Sequence, residues 1–201
     1  MTDILQRAKD MIVKPKETWA VIDGETATVQ TLYIPYVLAL AAIGPLAHLI
    51  GGQVFGYHFL AITVHPPLGA AIASALLSYV LTLIGVYVVA LVIDALAPTF
   101  GGQKNPIQAL KVAVYSATAG WVAGIFAVVP ALAILGLLGL YSLYLLYLGL
   151  PRLMKAPEDK AVAYTVVVVV VTAILYLVIT AIVGALAMQQ SSALAGSVSL
   201  R

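Results

Sequence analysis

Few side chains in this sequence could do chemistry, and their positions restrict what they could do. Asp94 is the one carboxylate beside a long apolar stretch, and a carboxylate at membrane depth is a candidate for ion or proton binding. Lys111, further along the chain at the start of the next apolar stretch, is the expected ion-pair partner for it. His48, His58 and His65 are three imidazoles with no Asp, Glu or Cys close by, whereas a zinc site needs three or four protein ligands. They read as interfacial polar residues, and no metal or cofactor is expected. The turn Gly101-Gly102-Gln103-Lys104-Asn105 lacks the glycine spacing and the Lys-Ser/Thr of a phosphate cradle, so it reads as a plain turn. With no cysteine there is no disulfide and no thiolate nucleophile. A Ser/His/Asp arrangement fails because Asp94 and the histidines fall on opposite sides of the membrane.

That last statement depends on the elements that carry these residues. The chain has 201 residues, 63% hydrophobic and 9% charged, with a mean hydropathy of +1.07. A soluble domain carries roughly 25% charged residues, so a soluble reading is excluded. No Asp, Glu, Lys or Arg occurs from 26 to 93, from 112 to 151 or from 161 to 200. One membrane-crossing helix takes about 20 apolar residues, so these stretches hold several. The net charge of +2 and pI near 8.8 come from few residues and give no field suited to nucleic acid. The expected fold is all-α: a polytopic membrane bundle of five helices with short amphipathic cytosolic helices before it.

Punctuating residues divide the apolar stretches. Gly51-Gly52 and Pro66-Pro67 leave span one at 32–50 and start span two at 68, and Pro98 with Gly101-Gly102 ends the latter near 97. The segment 54–64 is too short to cross and reads as an interfacial loop or half-helix. Pro130 starts the second arm of a hairpin, giving spans at 112–129 and 131–150, since 40 residues are too many for one helix. Span five is 161–188. Its Val166–Val171 run favours a strand in water, but in lipid an open strand leaves backbone groups unpaired, so a helix is expected. Pro45 after Gly44 predicts a kink in span one. Residues 1–31 form a cytosolic segment, with helices expected over 2–13 and from Pro15, where proline suits a first turn. Residues 189–201 are small and polar and are expected to be a loose tail outside.

Every Lys and Arg except Arg201 falls before span one, between spans two and three, or between spans four and five. Cytoplasmic loops hold the excess of positive charge, so an inside N-terminus and an outside C-terminus are expected. By length, Asp94 lies about 26 residues into span two, roughly 39 Å at 1.5 Å per residue, near the cytoplasmic interface. There a structural pair with Lys111 is the preferred role, with ion or proton binding and partner contact as alternatives. Trp19, Lys104, Asn105 and Gln108 are the expected partner-facing residues. The small residues Gly120 with Gly124 and Thr180 with Gly184 sit at the spacing that lets helices approach. They are expected to pack the bundle, with homo-oligomer contact as the alternative. Tyr141, Tyr144 and Tyr147 form a stripe on span four.

Three groups of residues together resemble the Yip1 family of five-span membrane proteins. These are Lys14-Pro15-Lys16-Glu17-Thr18-Trp19 before span one, Ala97-Pro98-Thr99-Phe100-Gly101-Gly102 with Tyr115-Ser116 around the start of span three, and Gly139-Leu140-Tyr141 through Pro151. The resemblance implies a cytosolic N-terminus, no enzymatic reaction, and action through contacts with other proteins. Eukaryotic relatives bind Rab-type small GTPases and one another. This chain lacks their long polar N-terminal region, which counts against small-GTPase binding and points to a prokaryotic relative in an inner (cytoplasmic) membrane. The function implied is a membrane adaptor or organiser whose partners are the lipid bilayer and a second copy or another membrane protein. The alternative is a small ion or solute transporter using Asp94.

Overall fold

The computed structural model describes residues 3–59 and 62–198. Two short helices come first. Helix α1 (Ile4–Val13) begins where the Asp3 side chain accepts from the Leu5 N–H, and α2 (Pro15–Gly24) begins on its proline. Both agree with the sequence pattern. Five helical segments are long and apolar enough to cross a membrane: Val29–Val54, Leu68–Phe100, Pro106–Val128, Pro130–Met154 and Glu158–Ala185. They correspond to the five expected spans, each within a few residues.

Span one is not a regular α-helix. Residues Tyr33–Val37 make a π-turn around Pro35, whose ring nitrogen cannot donate, and the Leu38 N–H reaches back to the Tyr33 carbonyl. The helix is interrupted again at Ala42 and resumes at Ile43. Pro45 can neither bond nor clear the carbonyl four residues back at Ala41, so its interruption falls one turn before it. The π-turn had no counterpart in the sequence reading. Span two, Leu68–Leu96 with a 3-10 end at Ala97–Phe100, is straightforward. Spans three and four meet at Val129–Pro130 as expected, but Gly124–Val128 and Pro130–Leu140 are wound as 3-10 helix.

Where the sequence suggested a loop or half-helix, the chain forms a two-stranded hairpin, β1 (Tyr57–Phe59) with β2 (Ile62–Val64). It pairs Tyr57 with Val64, His58 with Thr63 and Phe59 with Ile62. Aromatic and β-branched residues at these positions fit a pleated strand better than a helix. Gly56 opens the hairpin at φ +69°, with Thr63 so close that a Cβ would stand 2.7 Å from its methyl. The Gln53 amide closes the base by donating to the Pro66 carbonyl at 2.9 Å.

The last helix contains the valine run and is continuous over Ala161–Val198. The expected loose tail from 189 is therefore helical as far as Val198, because nothing in its Ala, Gln and Ser composition forces an end. Residues 199–201, including Arg201, lie outside the described residues.

Span three is the centre of the bundle. Every residue from Ala109 to Ser116 is buried, so the helix is enclosed on all sides. Spans one, two and four and both short helices surround it. Span five packs on spans two and four and otherwise faces outward.

Candidate functional site

The polar side chains converge at one place, the end of α2. A helix leaves its last four carbonyls without partners inside the helix, and that end carries partial negative charge. Lys111, in the enclosed part of span three and 2% exposed, extends its ammonium to this end. It donates to the Ile22 carbonyl at 2.9 Å and to the Glu25 carbonyl. One turn earlier, the Gln108 amide donates to the Asp23 carbonyl at 3.1 Å and to its carboxylate at 3.2 Å. Lys155 enters from the turn after span four and pairs with the other Asp23 oxygen at 2.7 Å. Arg7 of α1 pairs with Glu25 and stands over the Tyr115 ring, 5.9 Å from its centroid. Four side chains from three segments of the chain are thus fastened to the turn Ile22–Glu25.

Aromatic residues seal the same region. Trp19 is buried and donates its indole N–H to the Leu145 carbonyl at 3.1 Å. It lies flat enough on span four that a Cβ at Gly149 would stand 2.7 Å from its ring. Tyr115 meets Trp19 and Tyr36 edge to face, and the Tyr36 and Thr118 hydroxyls are 2.8 Å apart. Tyr141 donates to the Ile12 carbonyl at 3.1 Å, holding the end of α1.

The loop between spans two and three is fixed too. Gly101 takes φ +76°, and Gly102 passes so near the Met154 carbonyl that a Cβ would stand 2.7 Å from it. The Gln103 N–H bonds that same carbonyl at 2.7 Å. Asn105 caps span three, its side chain accepting from the Gln108 N–H at 3.1 Å with Pro106 next in line. Lys104 and Asn105 are exposed on this platform.

Several expectations are corrected by this arrangement. Asp94 and Lys111 do not pair, because Lys111 is committed to the end of α2 and the ion pairs among the described residues are Arg7–Glu25 and Lys155–Asp23. Trp19 is an internal anchor rather than partner-facing, and Gln108 is engaged with Asp23. Lys104 and Asn105 keep the exposure expected of them. Gly120 and Gly124 do pack the bundle: a Cβ at Gly139 of span four would stand 3.3 Å from the Gly120 Cα, and one at Gly124 would stand 3.2 Å from the Gly44 Cα of span one. Thr180 and Gly184 do not, since Thr180 is exposed with its hydroxyl returned to its own helix, and open space faces Gly184. His48 and His65 are exposed, and the side chain of His58 lies outside what is described. Among the described residues no group of three or more His, Asp or Glu is placed to hold a metal. Of the tyrosine stripe, Tyr141 turns inward while Tyr144 and Tyr147 are exposed on span four.

Arg7, Asp23, Glu25 and Lys155 went unnoticed in the sequence. A signal was present: Asp23 and Glu25 sit at a helix C-terminus, the wrong end of the dipole for acids, so cations had to come from elsewhere in the chain.

Asp94 stands apart from this network. One of its carboxylate oxygens is buried without a hydrogen-bond partner. It lies in a cleft with Tyr87, Ala90 and Leu91 of its own helix, Val29 of span one, and Pro106 and Leu110 of span three.

These features define a multi-pass helical membrane protein with a platform of two short helices clamped to one end of a five-span bundle. The Yip1 domain matches residues 9–187, most of the chain, and the protein belongs to the Yip1 family. No curated protein and no solved structure matches the chain significantly.

Proposed function

We propose that this protein is a non-enzymatic membrane adaptor or organiser that acts through helix contacts and through the platform at its N-terminal end. The observation that carries this reading is the clamping of α1, span three and the turn after span four to the Ile22–Glu25 turn at the end of α2. The ionisable groups there serve one another, and the product is a rigid surface displaying Lys104 and Asn105. Such a surface suits recognition, where pre-ordered groups lose little entropy on binding. The platform lies on the cytoplasmic side, because all the basic residues but Arg201 belong to that end.

The test is the composition of the complex extracted gently from its native membrane. A stoichiometric second protein that is lost from Lys104→Glu, with the fold intact, is the expected result. A homo-oligomer indifferent to Lys104 would overturn the platform's role. Orientation is checked separately: the chain has no cysteine, so single cysteines at Lys104 and His65 report which side an impermeant maleimide reaches. The competing reading, transport through Asp94, is favoured by its unpartnered oxygen. It predicts a flux abolished in Asp94→Asn.

A further inference from the structure

The Asp94 cleft has the make-up of a lipid-headgroup site. Its floor, Ala90 and Leu110, is buried at 4% and 1% exposure, while its rim residues Val29, Tyr87 and Leu91 are 43%, 44% and 50% exposed. The cleft therefore opens sideways from the bundle, toward the space that lipid occupies around a spanning segment. Asp94 lies in the last turn of Leu68–Leu96, at the height of the headgroups, and Tyr87 is an aromatic of the kind that gathers at that boundary. A buried carboxylate oxygen without a partner is costly, and no described Lys or Arg is ion-paired with Asp94. A cation brought by a ligand would satisfy it. Pro106 on the rim is two residues from Lys104, which is exposed. The cleft thus holds one carboxylate among apolar walls, with an exposed lysine two residues beyond its rim in the chain.

We infer that this cleft binds a phospholipid whose headgroup carries a primary ammonium, the ammonium at Asp94, the phosphate toward Lys104, and the upper acyl chains along Tyr87 and Leu91. A zwitterionic headgroup matches the two charges in order. An anionic headgroup without an amine brings nothing to the carboxylate, and a quaternary ammonium has no N–H to donate to it.

Native mass spectrometry of the full-length protein in detergent, titrated with phosphatidylethanolamine, phosphatidylcholine or phosphatidylglycerol, tests the inference. Wild type should retain phosphatidylethanolamine most strongly. Asp94→Asn should lower that retention roughly fivefold, the scale of one partly exposed charge pair, and leave phosphatidylglycerol unchanged. Leu91→Trp, at a half-exposed rim position, should fill the cleft and weaken retention of all three lipids, and it serves if Asp94→Asn does not fold. Equal retention of phosphatidylethanolamine and phosphatidylglycerol by wild type would overturn the inference. So would unchanged phosphatidylethanolamine retention in Asp94→Asn or in Leu91→Trp, or a co-extracted protein that departs with the Asp94 carboxylate while lipid binding stays the same.

Discussion

Spans three and five are both apolar and long enough to cross a membrane, yet they serve opposite purposes. Half of the most apolar window of span three is buried within the chain, against 6% for span five. Span three sends Lys111, Gln108, Tyr115 and Thr118 into hydrogen bonds or ring contacts with other segments. Span five makes its polar contacts near its beginning, where Tyr164 donates to the Ile93 carbonyl and stacks on Phe100. Further along, Thr172 and Thr180 bond only to their own helix. Water does not separate helices inside a bilayer, so helix association there relies on close packing and polar contacts. The bundle is fastened around span three, and span five presents its outer half to whatever lies beside it.

The contrast predicts a steep gradient of mutational effects, and its upper end belongs to the platform. Trp19→Ala removes the anchor seated on Gly149 and leaves a void against span four. It should cost about 3–5 kcal/mol of stability, read as the shift in a denaturation curve in detergent. A small effect would mean that the platform is docked loosely and that the contrast is overdrawn. Lys111→Met is next. It takes the ammonium away from both carbonyls: Ile22 keeps the Glu25 N–H at 3.3 Å, while the partly buried Glu25 carbonyl loses its Lys111 donor, a change of about 1–3 kcal/mol. The measurement is limited proteolysis: Lys9 and Lys16 should become readily cleaved by trypsin while spans two to five stay protected.

Lys155 sharpens the comparison at the platform's edge. It holds φ +54°, and its pair with Asp23 is half exposed. The ion pair contributes about 0–1 kcal/mol, while a non-glycine residue in the left-handed region costs about 1–2 kcal/mol. Lys155→Gly should therefore be nearly neutral, and Lys155→Ala less stable than Lys155→Gly by about 1 kcal/mol. If both substitutions are equally damaging, the Asp23 pair is the stronger term and the clamp depends on charge more than on chain direction.

Span number and most boundaries were legible in the sequence, because proline and glycine clusters interrupt apolar stretches whose length the bilayer fixes. Which span becomes the centre was not. Each reads as uniformly apolar, and the difference arises from partners: Lys111 looked like a loop residue until the end of α2 was placed above it. The Asp94–Lys111 expectation failed for the same reason, since nearness along the chain is a poor guide when a helix end elsewhere offers several carbonyls. The hairpin at 57–64 was hidden by its brevity, as was the π-turn at Pro35. Gly120 and Gly124 lie against other helices while open space faces Gly184 at the same spacing, because spacing shows that a close approach is permitted and not which helix makes it.

The smallest effect is expected at Gly184, and it tests the outward half of the comparison. A Cβ added there would stand in open space, with nothing within 4 Å among the described residues, so Gly184→Leu should change the stability of the monomer by no more than about 0.5 kcal/mol. Its value lies in a second readout. If the Thr180–Gly184 face meets another copy of this chain, the added side chain must separate the two backbones, and crosslinking between single cysteines on that face should fall sharply. If the face meets only lipid, crosslinking is weak in both proteins and the substitution changes nothing. A large loss of monomer stability would instead place another helix of the same chain against Gly184, and span five would then belong with span three rather than opposite to it.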